Sequence, residues 1–149
     1  MATIDIGWTG AGGRLLRAIP VVVLGVLILA NLVRGGIHAF APDGGAHSIA
    51  GLDLTESRQT ILSLFAVVGL HQIVLGMLQL FVLLWRRDLV AIALGYQLVE
   101  TVAGLSNLYA YRTLPVPVPA LPLNAALLGV VTVAFVIALL QPLARRMQH

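Results

Sequence analysis

Two ionisable side chains, His71 and Glu100, lie inside long apolar stretches of the sequence, where an ionisable group is costly to place in a membrane. Measured along ideal helices from the charged turn between them, they lie at about 21 and about 18 Å, which is a similar depth. A carboxyl and an imidazole at one depth can relay a proton, so this pair would support acid/base chemistry on a lipophilic substrate. His71 is offset by roughly 100° from its polar neighbour Gln72, so a contact between His71 and Glu100 stays open.

Small and polar residues recur at alternating spacings of three and four, which keeps side chains on one face of a helix. Three stripes follow this spacing: Pro20, Leu24, Leu27, Asn31, Arg34 and His38; Gly69, Gln72, Gly76 and Gln79; and Gln97, Glu100, Gly104, Asn107 and Tyr111. Each stripe predicts a helix face turned toward other helices. Amides on such faces also join membrane helices through hydrogen bonds of about 0.6 kcal/mol each, and we favour that structural role for Asn31, Gln72 and Gln79.

A second polar group is expected at the outer ends of the helices. Arg34 could clamp an anionic head group or a carboxylate through two hydrogen bonds, with anchoring at the membrane interface as the alternative. The candidate ligand-binding residues are Arg34, His38, Gln72, Gln97, Glu100, Asn107, Tyr111 and Asn124, and the candidate catalytic residues are Glu100 and His71.

Four apolar stretches carry these residues, each near the roughly 20 residues that a helix needs to cross a bilayer. They run over about 15–33, 60–85, 89–109 and 123–143. The sequence therefore predicts an all-α fold, an integral membrane four-helix bundle that forms a single transmembrane domain over residues 1–149.

The connections between the stretches differ in kind. The expected features are a flexible leader at Gly10–Gly13, a long outer loop over 35–58, a tight inner turn at Arg86-Arg87-Asp88, and a proline-rich outer strap over 113–122. Within the outer loop, Asp53 and Glu56 have the spacing of a capping box, which predicts that the second helix begins near Leu54. Pro122 fits the first turn of the fourth helix.

Composition and charge place the chain in a membrane. The chain is 59% hydrophobic and 10% charged, too few charges to cover a soluble domain of this size. All nine basic residues are arginine, and six lie on one side of the predicted bundle: Arg14, Arg17, Arg86, Arg87, Arg145 and Arg146. The positive-inside rule then predicts a multi-pass cell-membrane protein with both termini cytoplasmic. Arginines scattered in this way exclude a nucleic-acid-reading surface.

The sequence offers no ligand set for a metal or a haem. It has no cysteine, and His38 and His71 are predicted at different depths, so no cofactor and no metal are expected. Arginine as the sole basic residue, with abundant alanine, glycine, leucine and valine, is associated with GC-rich bacterial genomes.

We expect a protein that binds or passes a small apolar molecule or lipid through a polar-lined cavity that opens outward. Two other functions stay open: a membrane-embedded acid/base enzyme of the isomerase or hydrolase type, and a structural or partner subunit of a membrane complex. The expected partners are the lipid bilayer and a lipid or small apolar ligand, and a homodimer stays open.

Overall fold

The computed structural model describes residues 10–111, 119 and 121–146, and side chains within 11–111, 119 and 121–141. In these residues the fold is all-helical. The helices are α1 (Gly10–Phe40), α2 (Arg58–Trp85), α3 (Val90–Ser106) and α4 (Leu121–Arg146), with a 3-10 turn (Arg87–Leu89) before α3 and a π-helical turn (Asn107–Tyr111) after it. Four segments of the described chain are long and apolar enough to span a membrane, with mean hydropathies between 1.5 and 2.5.

Helix α1 extends beyond its apolar stretch at both ends. It begins at Gly10, so the glycine-rich segment predicted as a flexible leader is its first turn. It also continues past Val33 to Phe40, which shortens the connection expected at 35–58 to residues 41–57. Hydropathy detects only the apolar stretch of the helix. Beyond that stretch, the packing of Gly35 against α2 stabilises the helical conformation.

The predicted capping box of α2 is wrong. The helix begins at Arg58, after Ser57 in the left-handed region with φ 56°. The Asp53 carboxylate instead accepts a hydrogen bond from the Thr55 backbone N–H at 2.9 Å, and this bond lowers the pKa of Asp53. Pro122 lies in the first turn of α4, as predicted. Most of the predicted strap, residues 113–118 and 120, lies outside the described residues.

Helix α1 is the centre of the fold. It contacts α2, α3 and α4, whereas the described parts of α2 and α4 do not contact each other. The buried apolar core lies between α1, α3 and α4 and consists of Leu24, Leu27, Ile28, Val90, Leu94, Val131, Ala134 and Ala138. Helix α2 packs mainly on α1 and has few contacts with α3, although the two are joined by a tight turn.

Glycines bring α1 and α2 into backbone contact. A Cβ atom at Gly35 would lie 2.7 Å from the backbone oxygen of Gly69, and one at Gly69 would lie 2.6 Å from the backbone nitrogen of Ala39. Side-chain atoms do not fit at these separations, so both positions require glycine. Small residues allow membrane helices to approach in this way.

The segment after α1 folds into a compact turn built on Asp43. Its two carboxylate oxygens accept the backbone N–H groups of Gly45 and Ser48 at 3.0 and 2.8 Å. The hydrogen bonds to Ser48 and Gly45 lower the pKa of Asp43 to about 2. This turn covers the end of α1 that carries Arg34 and His38, and we call this end of the molecule the loop end. The opposite end, with Arg14, Arg17, Arg86 and Arg87, is the arginine-rich end.

Candidate functional site

Three amide side chains from three helices meet inside the fold. The Asn31 Nδ2 group donates to Gln79 Oε1 and to Gln97 Oε1, both at 2.9 Å. Gln79 Nε2 donates to the same Gln97 oxygen at 2.9 Å. Gln79 and Gln97 are 1% and 4% exposed. These residues, which we call the amide cluster, connect α1, α2 and α3 where α2 and α3 otherwise have few contacts.

The Glu100 carboxylate is attached to the amide cluster. Gln97 Nε2 donates to Glu100 Oε2 at 2.8 Å and to Thr101 Oγ1 at 3.3 Å. Glu100 is half-buried, and its other oxygen, Oε1, accepts no hydrogen bond from the described residues. Hydrogen bonds that are joined in a network in an apolar interior polarise one another. Glu100 is a half-buried end of this network.

Arg34 lies at the same level as Glu100. Helices α1 and α3 are separated in the chain by one antiparallel helix and therefore run in the same direction, and the Asn31–Gln97 bond sets their register. Arg34 and Glu100 each follow a cluster residue by three positions, which is about 4.5 Å toward the loop end. The sequence predicts Arg34 at the mouth and Glu100 deeper in the bundle, whereas this register puts the two at a similar level.

Arg34 and Glu100 are not paired with each other. Within the described chain the ion pair present is between Arg86 and Asp88. The Arg34 Nε group donates to His38 Nε2 at 3.2 Å, and Arg34 is exposed. A guanidinium and a carboxylate that do not bond each other leave hydrogen-bonding groups of both kinds available for other partners.

The helices differ in how exposed their polar stripes are beyond the amide cluster. On the stripe of α3, Gln97 is buried, Glu100 is half-buried, and Gly104 and Asn107 are exposed. Arg34, one turn beyond the buried part of the α1 stripe, is also exposed. Beyond the amide cluster the α3 stripe is therefore accessible, whereas the stripes of α1 and α2 stay buried at His38 and Gln72. We call the accessible surface beside Arg34 and Glu100 the cleft.

Gln72 carries an unpartnered polar atom on the stripe of α2 whose glycines, Gly69 and Gly76, pack against α1. It lies seven residues from Gln79, which returns it to nearly the same helix face about 10 Å nearer the loop end. The side chain is 7% exposed, and its Oε1 atom is buried without a hydrogen-bond partner in the described part of the protein. A buried carbonyl without a donor costs about 1–3 kcal/mol, so such an atom marks a position where a donor is missing from the fold.

His38 positions both Arg34 and the compact turn. Its Nδ1 atom lies 2.7 Å from the Gly44 carbonyl oxygen, and its Nε2 atom accepts from Arg34. These partners require the neutral tautomer with the proton on Nδ1, which donates to Gly44. The imidazole is 7% exposed and meets the Phe65 ring edge-on at 5.2 Å. His38 thus holds both Arg34 and the turn, and its contact with a ligand stays a prediction.

The remaining predicted residues lie away from this group. His71 is exposed on α2, and no hydrogen bond or ion pair joins it to Glu100 in the described structure. Asn107 and Tyr111 belong to the π-helical turn after α3 and are exposed, Tyr111 by 83%. Asn124 is half-buried in the first turn of α4. Within the described ranges no group of three or more histidine, aspartate or glutamate side chains could hold a metal ion.

Three residues of the network, Asn31, Gln79 and Thr101, were not among the candidate site residues, although Asn31 belongs to the predicted stripe of α1. Gln79 belongs to the predicted stripe of α2, so its spacing from Gln72 was a usable signal. Thr101 is adjacent to Glu100 and accepts from Gln97, and a single threonine beside an apolar helix face gives no signal of its own. Comparisons of the chain with protein-family models, with curated proteins and with solved structures found no match.

Proposed function

We propose that the chain is an integral membrane protein with four transmembrane helices and both termini in the cytoplasm. The faces turned away from the bundle support this, because large apolar side chains on all four helices are exposed: Leu29 at 65%, Val67 at 65%, Ile92 at 68% and Val133 at 57%. Exposed apolar surface on this scale requires a lipid environment or a protein partner. The arginines at the end that carries Arg86 and Arg87 support the cytoplasmic orientation.

Within the membrane, the protein binds or passes a small lipophilic molecule that enters the cleft from the bilayer and places a polar group between Arg34 and Glu100. The observation that carries this proposal is the placement of the two residues at one level on facing helices, with no ion pair between them. A molecule with an apolar body and a polar head would use the apolar faces of the cleft for affinity and the two charged groups for orientation. The unpartnered Gln72 oxygen offers a further acceptor.

The second function considered from sequence, an acid/base enzyme with Glu100 and His71, has no such support. A catalytic base must come within hydrogen-bonding reach of its partner or of the substrate. Gln97 is the described residue that hydrogen-bonds Glu100, and the exposed His71 lies on a different face of α2 from the buried Gln72. A subunit role in a larger complex likewise rests on no particular contact.

The proposal can be tested with three spin-labelled probes of equal chain length: a long-chain carboxylic acid, amine and alcohol. The protein is reconstituted in phosphatidylcholine nanodiscs, and the immobilised fraction of each probe is measured by electron paramagnetic resonance. Arg34→Gln is expected to weaken binding of the acid about tenfold, and Glu100→Gln to weaken binding of the amine by a similar factor, because each loses a charge-assisted hydrogen bond.

His71→Ala is the matched control, because it removes an ionisable side chain of the same transmembrane region that points away from the cleft. It is expected to leave all three affinities unchanged. If the probes bind wild type, Arg34→Gln and Glu100→Gln with the same affinities, neither residue contacts a head group and the cleft is not a binding site.

A further inference from the structure

A pocket at the arginine-rich end is separate from the cleft. It has a volume of about 310 Å³ and lies where α1, the start of α3 and α4 come together. Its lining residues are Pro20, Val21, Arg87, Asp88, Val90, Ala91, Ala138 and Gln141.

The pocket carries one uncompensated positive charge. Asp88 is bound by Arg86, whose Nε and Nη2 atoms donate to its two oxygens at 3.0 and 2.8 Å. Arg87 is left without an acidic partner in the described structure. Its Nε atom donates to the Leu83 carbonyl oxygen at 3.0 Å, which fixes the side chain along the end of α2, and its two terminal amino groups bond no described residue. A planar guanidinium held in this way can bind two oxygens of a phosphate.

The rest of the pocket is divided between polar and apolar chemistry. Gln141 is half-buried, and its Nε2 atom has a long contact of 3.5 Å with the Arg17 carbonyl oxygen, so its side-chain oxygen remains an acceptor for a hydroxyl. Pro20, Val21, Val90 and Ala91 form an apolar wall beside these polar groups. The pocket therefore has a cationic side and a hydrocarbon side, as the junction of a head group and an acyl chain requires.

We propose that this pocket binds the head group of an anionic phospholipid, with the phosphate on Arg87, a head-group hydroxyl on Gln141, and the upper acyl chain on the apolar wall. Arg14 and Arg17 begin α1 at the same end, and basic residues grouped at a membrane surface attract anionic lipids. The proposal rests on the membrane location of the chain and is independent of the cleft.

The test compares phosphatidylglycerol with phosphatidylcholine of identical acyl chains, added to the purified protein in a neutral detergent. Bound lipids are counted by native mass spectrometry. Wild type is expected to prefer phosphatidylglycerol about tenfold, and Arg87→Gln to lose that preference, because one charge-assisted contact is removed. Ala91→Leu, which fills the pocket and changes no charge, is expected to weaken phosphatidylglycerol binding as well.

Arg14→Gln is the matched control, because it removes one arginine from the same end without touching the pocket. An equal loss of preference in Arg14→Gln and Arg87→Gln would overturn the proposal in favour of a general surface potential, and an unchanged preference in Arg87→Gln would overturn it outright. Inorganic phosphate is expected not to displace phosphatidylglycerol, and full displacement would mean that the pocket takes a free anion. Because Arg34 and Glu100 are unchanged throughout, failure here leaves the cleft proposal standing.

Discussion

The buried glutamines of α2 differ in their hydrogen-bond partners. Gln79 is hydrogen-bonded through both of its polar atoms and stabilises the fold, whereas Gln72 is not. Gln79 accepts from Asn31 and donates to Gln97, so its polar group is used on both sides. The equally buried Gln72 has a carbonyl oxygen without a partner. These two glutamines lie on one helix face, seven residues apart. We therefore expect Gln79 to raise the free energy of unfolding and Gln72 to lower it.

Replacing these two glutamines by leucine, which has a similar volume, tests that distinction. Gln79→Leu is expected to lower the free energy of unfolding by about 1 kcal/mol, since it removes two hydrogen bonds between membrane helices. Gln72→Leu is expected to leave the stability unchanged or to raise it by up to about 1 kcal/mol, because a buried unpaired oxygen is removed. Both are measured by reversible unfolding in mixed micelles, followed by circular dichroism. A loss of stability in Gln72→Leu equal to that in Gln79→Leu would contradict the assignment of Gln72 to ligand binding.

For individual residues, the sequence predicts well which side chains are buried. It predicts less well which of the buried side chains contact each other. The alternating spacing predicts one buried face on α2, and Gly69, Gln72, Gly76 and Gln79 are all buried. It does not predict that the amides of three helices share the Gln97 oxygen. That contact depends on the rotation and register of each helix, which follow from packing across the whole bundle.

The close approach of α1 and α2 depends on glycine at particular positions, and not every glycine of these helices contributes to it. Gly35 and Gly36 are adjacent in α1, yet a Cβ atom at Gly35 would meet the backbone of Gly69 whereas one at Gly36 would meet nothing within 4 Å. A backbone oxygen cannot move aside unless the helices separate. The neighbouring Gly36 therefore provides an internal comparison.

Gly35→Ala is expected to lower the free energy of unfolding by about 1–3 kcal/mol, the usual cost of overpacking a close contact. Gly36→Ala is expected to be neutral or slightly stabilising, because alanine favours the helix more than glycine does. The two variants are compared by the same micelle unfolding measurement. Equal effects would show that α1 and α2 do not approach as closely as the Gly35–Gly69 contact implies.

The ends of the elements are less predictable from sequence than their faces. Hydropathy places the end of the first span at Val33, but α1 continues to Phe40. The continuation carries Gly35 against α2 and His38 against the compact turn, contacts that a hydropathy window cannot register.

For the whole molecule, the arginine distribution predicts a single orientation in the membrane. The chain contains no cysteine, so an introduced one is the sole thiol. Ser48→Cys, in the exposed turn after α1, is expected to react with a membrane-impermeant maleimide added to intact cells. Arg14→Cys, at the exposed opposite end of α1, is expected to react only after permeabilisation. The reverse pattern would place the termini outside, and the cysteine-free parent gives the background.

The central position of α1 has a consequence for the order of events during synthesis. Asn31 finds its partners on residues that follow it by 48 and 66 positions, and its helix emerges before either partner has been made. If the helices enter a bilayer in chain order, as the proposed membrane location requires, Asn31 first meets Gln79 on the second helix and meets Gln97 only when the third has entered. The amide cluster is then complete only once Gln97 has been synthesised, so it cannot form while the first two helices are the only ones present.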